Sequence, residues 1–243
     1  MELISKIPNP VLLKIKAVTN GKYLDIVGLI IVLLGSFYLE YHKTKIPITL
    51  GKTSYNFPLG IFSILNVGFS MVGTRLVTKK NNLGNFIHTF NTFLSGAIDH
   101  LLGNLAAFLT YPVSVIGNYL AYKVWKKKMV LNSIDAIFYR NLILGMLLSF
   151  LLNFIGFYYL STGEIKWSLY FAIAIPAGIT FGGTFNTPRM YPDNWLMWQI
   201  YNLSKVIQCV MLLNIANIFK YVFYFINAIL GYITWKDDKA KQL

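Results

Sequence analysis

Charge is scarce in this 243-residue chain, and negative charge scarcest of all: 13% of residues are charged, with 9 Asp or Glu against 22 Lys or Arg. An ordinary soluble domain carries about 25% charged residues, so a water-facing surface of normal composition is excluded. The single cysteine, Cys209, lies inside an apolar run and offers neither a disulfide framework nor a metal site. No P-loop is present, which argues against direct use of ATP. No DxxxD, HxxxH or Ser/His/Asp grouping stands in a loop, where an integral-membrane enzyme acting on a lipid would carry it. Asp99 and His100 are expected at an outer rim and lack the third ligand that a metal needs, so no metal or cofactor is expected. The first twenty residues contain Pro8, Pro10, Lys14 and Lys16 in place of a continuous apolar core, so no cleavable signal peptide is expected.

What the chain does have is apolar surface: 56% of residues are hydrophobic and mean hydropathy is +0.54. Lipid is the solvent that fits, and it demands helices or closed barrels so that backbone groups pair internally. The apolar runs are long and unbroken, which selects helices. Eight spanning segments are predicted, at 24–41, 57–78, 83–101, 104–124, 141–161, 167–185, 193–213 and 216–235. With the N-terminus inside, 16 of the 22 Lys and Arg fall on the cytoplasmic side, Arg75, Lys79, Lys80, Lys126, Lys127 and Lys128 among them. Both termini are therefore expected in the cytoplasm of a multi-pass plasma-membrane protein. The net charge of +13 sits in short clusters between apolar runs and reads as this topology signal, with no soluble face to hold nucleic acid.

Residues 116–126 (IGNYLAYKVWK) and 226–236 (INAILGYITWK) align at a fixed offset of 110, pairing Ile116/Ile226, Leu120/Leu230, Tyr122/Tyr232, Trp125/Trp235 and Lys126/Lys236. Aromatic and basic helix ends at a membrane interface would also produce part of this match. Read as a duplication, it places both copies on segments running the same way. The organisation is then a cytoplasmic amphiphilic N-terminus (1–22), an extra N-terminal helix and loop (23–56), a first three-helix bundle (57–126), a linker with one helix (127–165), a second bundle (166–236) and a tail (237–243). That is a parallel repeat about an axis along the membrane normal, a plan known in transporters.

The seventh segment holds the most specific chemistry. Trp195, Trp198 and Asn202 are spaced i, i+3 and i+7 and share one helix face, suited to stacking a flat ring and fixing its polar edge, with a cationic ring favoured further. Gln199 lies within the same stretch. Tyr224 and Asn227 share a face of the eighth segment with Gly231. An interfacial tryptophan belt would also account for Trp195, and buried Asn can simply join helices. His88 and Asn91 share a face of the third segment, and at the repeat offset His88 corresponds to Trp198; a membrane histidine is as often a structural hydrogen-bonder. Lys205 sits in mid-membrane one turn from Asn202, either as a charge in the pathway or as a structural pair.

The run from Arg189 to Asn202, containing W-x-x-W-x-x-x-N, and the following Asn227-x-x-x-Gly231-x-x-x-Trp235 resemble the PnuC-type nicotinamide riboside transporters. A weaker echo covers 75–126, including Pro112-x-x-x-x-Gly117. The resemblance implies a 3-1-3 helical architecture with, in some members, an extra N-terminal helix. It also implies facilitated diffusion of a vitamin-like nucleoside that a cytosolic kinase traps by phosphorylation, and a homo-oligomer, a trimer in the family. Substrate contacts are expected from Trp195, Trp198, Gln199, Asn202, Tyr224, Asn227, His88, Asn91, Ser114 and Asn118. Ser114 and Asn118 stand where the family usually has Gln and Trp, which leaves thiamine or riboflavin as alternatives to nicotinamide riboside.

Overall fold

The computed structural model describes residues 8–38, 41–50, 53–101, 104–160, 165–211 and 215–242. Lys6 and Lys52, counted in the charge asymmetry, lie outside the described residues, as does the Cys209 side chain. The helices are α1 (Asn9–Asn20), α2 (Lys22–Tyr38), α3 (Leu59–Thr78), α4 (Leu83–Leu101), α5 (Ala107–Lys127), α6 (Ala136–Tyr159), α7 (Trp167–Asn186), α8 (Asn194–Met211) and α9 (Ile215–Ala240). The fold is that of an all-α membrane protein: an added N-terminal helix pair, two parallel three-helix bundles (α3–α5 and α7–α9), and the linker helix α6 between them.

Among the described residues, four stretches are long and apolar enough to cross a bilayer: Leu59–Thr78, Ala136–Tyr159, Trp167–Arg189 and Ile218–Ala240. The pair α1–α2, bent by 55°, makes a fifth if it counts as one span. The helices α4, α5 and α8 are of similar length but more polar. Their polar residues turn inward onto a cavity, which lipid tolerates.

The burial pattern is inverted relative to a soluble protein. Phe90, Phe93, Phe108, Ile143, Leu147 and Leu151 are exposed, whereas Asn85, Asn153, Asn186 and Asn227 are fully buried. In hydrocarbon the apolar faces need no cover, and packing together with interhelical hydrogen bonds holds the bundle. Small residues set the closest approaches. A Cβ at Gly145 would lie 2.4 Å from the Gly182 backbone nitrogen, and one at Gly84 would lie 2.6 Å from the Gly73 carbonyl oxygen. These contacts join α6 to α7 and α3 to α4 at backbone distance.

The repeat is visible in the backbone itself. Shifting α3, α4 and α5 by the same 110 residues lays them on α7, α8 and α9 to within a few residues at each end. The two described non-glycine residues with left-handed backbone, Lys80 (φ 58°) and Met190 (φ 51°), are separated by that offset too. Each turns the chain after the first helix of its bundle. The repeated tryptophans then cross over. Trp125 Nε1 at the end of α5 donates to the Thr187 carbonyl (2.9 Å), and Trp235 Nε1 on α9 donates to the Thr78 carbonyl (2.8 Å). Each indole thus donates at the C-terminal end of the other bundle's first helix, Trp235 to the Thr78 carbonyl and Trp125 to a Thr187 carbonyl that also accepts the Met190 amide (3.1 Å).

Three boundaries differ from expectation. The helix α6 begins at Ala136 instead of 141, because the Asp135 side chain caps it by accepting the Phe138 amide (3.0 Å). The helix α9 runs to Ala240 instead of 235, carrying Asp237 and Asp238 to Lys16 of α1 at 2.5 Å each. The 42–56 loop contains an antiparallel hairpin, β1 (Ile46–Leu50) and β2 (Thr53–Phe57), in register from Ile46↔Phe57 to Leu50↔Thr53. Arg75, counted among the cytoplasmic charges, is only 2% exposed. It donates from Nε to Asp25 (2.6 Å), from Nη1 to Asn227 (2.5 Å) and from Nη2 to the Thr19 carbonyl. This knot ties α1 and α2 to both bundles at the basic end of the molecule, the end where Lys79, Lys80 and Lys236 also gather.

Candidate functional site

A cavity of about 600 Å³ lies between the two bundles, with α2 and α6 contributing to its wall. It has the size range of a small-molecule site. Its two sides differ in chemistry because they come from helices of different composition. The first bundle offers amides and hydroxyls, among them Asn66, Ser70, Asn91, Ser95, Ser114 and Asn118. The second offers rings: Trp195, Trp198, Tyr201, Tyr221 and Tyr224.

Nine of the ten substrate contacts expected from sequence line this cavity, and Lys205 lines it as well. Gln199 does not. One residue beyond Trp198, it is turned about 100° around the helix and is half-buried outside the wall. The nine are not chemically equivalent. Trp195 is 4% exposed and packs into a cluster with Trp125 and Trp235, meeting the Trp235 ring edge-on at 5.4 Å. It forms the cavity floor at the basic end.

Trp198 is less buried and presents its ring to the cavity. Its benzo edge rests on Gly183 of α7, where a Cβ would lie 3.1 Å from the ring. Tyr201 stands perpendicular to Trp198 at 5.8 Å and to Tyr221 at 6.0 Å, continuing an aromatic wall that the sequence pattern did not reveal. Spacing put Asn202 on the Trp198 face, whereas Tyr201 became visible only when α9 brought Tyr221 beside it.

Other expected contacts are already engaged within the protein. The Asn227 amide accepts from Arg75 and donates to Thr78 Oγ1 (3.0 Å). The Tyr224 hydroxyl donates to Ser70 (2.9 Å). Asn91 Nδ2 bridges to the Asn66 side chain and carbonyl at 2.5 and 2.6 Å. Asn118 Nδ2 donates to Thr92 Oγ1 (3.0 Å). His88 Nε2 lies 3.4 Å from Thr74 Oγ1 and packs against Gly73. These contacts fix the rotamers of the polar side, which is how a site is held ready for a ligand. Asp99, expected at an outer rim, lines the cavity and accepts the Tyr111 hydroxyl.

A family model described as nicotinamide mononucleotide transporter matches residues 60–237. The chain belongs to this family. All of the described cavity-lining residues fall inside that span except Val32 and Ser36 of α2. Among solved structures, the crystal structure of the vitamin B3 transporter PnuC is similar, with a TM-score of 0.65 over 92% of this chain and 94% of that chain at 11% identity. At that identity the likeness establishes a shared fold. No curated protein matches the chain in sequence. Membership makes the chain a multi-pass membrane protein of a transporter family, and among the described residues no group of three His, Cys, Asp or Glu is placed to hold a metal ion.

Proposed function

We propose that the chain carries a nicotinamide-type nucleoside across the plasma membrane by facilitated diffusion, with nicotinamide riboside as the parent compound to test and thiamine or riboflavin as alternatives. The observation that carries this reading is Trp198 and Asn202 on one face of α8, both on the wall of a 600 Å³ cavity whose opposite side is amide- and hydroxyl-rich. A flat ring stacks on the indole and a sugar meets the polar side. Cation–π attraction to Trp198 suits a pyridinium ring.

Directionality in this reading comes from a cytosolic kinase that phosphorylates the solute after entry. Both termini lie in the cytoplasm, as the lysine and arginine distribution favours, and the chain assembles with copies of itself, as a trimer by family resemblance. The test is uptake of labelled nicotinamide riboside, thiamine and riboflavin into proteoliposomes, side by side. Uptake of one of them above empty liposomes, lost in Trp198→Ala, is the expected result. Equal uptake by Trp198→Ala, or none of the three carried, refutes the reading.

A further inference from the structure

At the basic end of the molecule two side chains bridge the bundles, and the N-terminal helix pair holds both of them. Asp238, in the last turn of α9, accepts from Lys80 in the turn after α3 and from Lys16 of α1 (2.5 Å). Arg75 of α3 donates to Asn227 of α9 and, from the same guanidinium, to the Thr19 carbonyl of α1 and to Asp25 of α2. Lys16 also meets Asp237, and Asp25 also meets Lys79, at 2.5 Å each. The pair α1–α2 thus completes the bonding of the two residues through which one bundle grips the other. That grip lies at the cavity floor. Trp195 closes the cavity there, backed by Trp125 and Trp235, and Trp235 donates to the Thr78 carbonyl of α3. A solute leaving by this end passes the tryptophans only when α3 and α9 part, which breaks the Arg75–Asn227 and Lys80–Asp238 contacts.

The helix α1 is attached in a way that lets it come away. Lys16, Lys80, Asp237 and Asp238 are all partly exposed, so their pairs are weak singly and weaken further in salt. Only Leu12 and Thr19 of α1 are buried, while Val11, Leu13 and Val18 face outward. Little apolar packing therefore holds the helix down. It joins α2 at a 55° bend, with Gly21 between the two helices. The family match runs from residue 60 to residue 237, so Lys16 and Asp238 both lie outside the span that defines the family.

We propose that α1 is a latch on the basic-end gate: docked through Lys16, it holds the two bundles together there and so restrains exchange of solute through that end. This rests on the carrier reading above for the premise that solute leaves between the bundles.

The test reads the gate without any solute. In a Cys209→Ser background, spin labels at Leu83→Cys and Ala240→Cys sit on exposed positions at the basic ends of the first and second bundles. In proteoliposomes of the full chain, Lys16→Gln should populate a longer label-to-label distance about two- to fivefold more than the latch-intact chain, the range for losing partly exposed ion pairs. Lys16→Arg should match the latch-intact chain. Raising salt from about 0.05 to about 0.5 M should lengthen the distances of the latch-intact chain and move Lys16→Gln less. The salt arm needs no substitution at the latch, so it decides the matter even where Lys16→Gln folds poorly. Exchange of labelled nicotinamide riboside should rise in Lys16→Gln by the same factor. A helix that only braces the fold gives a lower Tm in Lys16→Gln with unchanged distances. That outcome, salt-insensitive distances in the latch-intact chain, or exchange no faster in Lys16→Gln overturns the latch. Longer distances in a chain that carries none of the solutes tested leave the latch standing and overturn the carrier reading alone.

Discussion

Replacing Arg75 with Met tests whether the knot at the basic end holds the molecule together. The substitution keeps an unbranched side chain and removes the charge and every donor. Three partners lose a bond. Asp25 is 32% exposed and retains Lys79 at 2.5 Å, so hydration and the second cation limit its loss to about 1 kcal/mol. Asn227 is 1% exposed, and its Oδ1 would keep only Thr78 Oγ1 at 3.4 Å, a hydroxyl already donating to the Thr74 carbonyl at 2.9 Å. Leaving that buried acceptor unmet costs about 1–3 kcal/mol. The Thr19 carbonyl near the end of α1 loses its guanidinium donor, at about 1 kcal/mol. Together these give about 3–5 kcal/mol, the range for removing one partner of a buried ion pair. In a chain of this size each kcal/mol moves Tm by about 2–4 °C, so we expect thermal unfolding in detergent about 10 °C below the parent. Asp25→Asn should cost far less, because it leaves Asn227 satisfied. A Tm within about 2 °C of the parent for Arg75→Met, or an equal loss in Asp25→Asn, would refute the assignment of the cost to the buried Asn227 end of the knot.

Two glycine substitutions should separate ligand binding from packing. Gly183→Ala places a methyl 3.1 Å from the Trp198 ring, which can yield toward the cavity; ligand affinity should fall up to tenfold, from an off-rotamer cost of about 0.5–1.5 kcal/mol, with little change in Tm. Gly84→Ala places its methyl 2.6 Å from a backbone oxygen that cannot yield, so Tm should fall by the several degrees that correspond to about 1–3 kcal/mol of overpacking. The opposite pattern would remove Trp198 from the ring slot. At the α6 cap, the Tyr191 hydroxyl, aided by the Phe138 amide and Arg189 and opposed by burial, holds the Asp135 carboxyl below its ordinary 3.8; burial and that same bond push Tyr191 up to about 12. A lowered carboxylate stabilises the fold above its unfolded value, and that stability is lost as pH falls through the folded value. Tyr191→Phe should therefore have the lower Tm at pH 7 and lose less of it than the parent as both are titrated from pH 7 to 3, so that the two curves converge. Superimposable titrations would show that the hydroxyl does not hold Asp135.

Helix positions were legible because apolar runs report lipid exposure directly, and the offset of Trp125 and Trp235 was enough to expose the repeat. The cavity wall was legible where one helix carries it, as with Trp198 and Asn202 at fixed spacing. It was not legible where two helices meet. Tyr201 and Tyr221 acquire their role only through each other, and Asn227 looks like a ligand contact in sequence but has both ends of its amide occupied by Arg75 and Thr78. Arg75 itself read as one more inside-positive charge, because nothing local to residue 75 announces Asp25, fifty residues earlier, as its partner. The hairpin at 46–57 was hidden by its brevity, since five-residue strands beside a basic loop carry little signal against eight apolar runs.

The crossed tryptophans make neither bundle self-sufficient. With Trp125 donating at the end of α7 and Trp235 at the end of α3, each half supplies a bond to the other, the arrangement of an isologous dimer whose two subunits have been fused. A chain cut in the segment between α5 and α6 would leave each fragment with an indole parted from its carbonyl acceptor. The contacts that would join two subunits in such a dimer thus set how the two halves of this chain face the cavity.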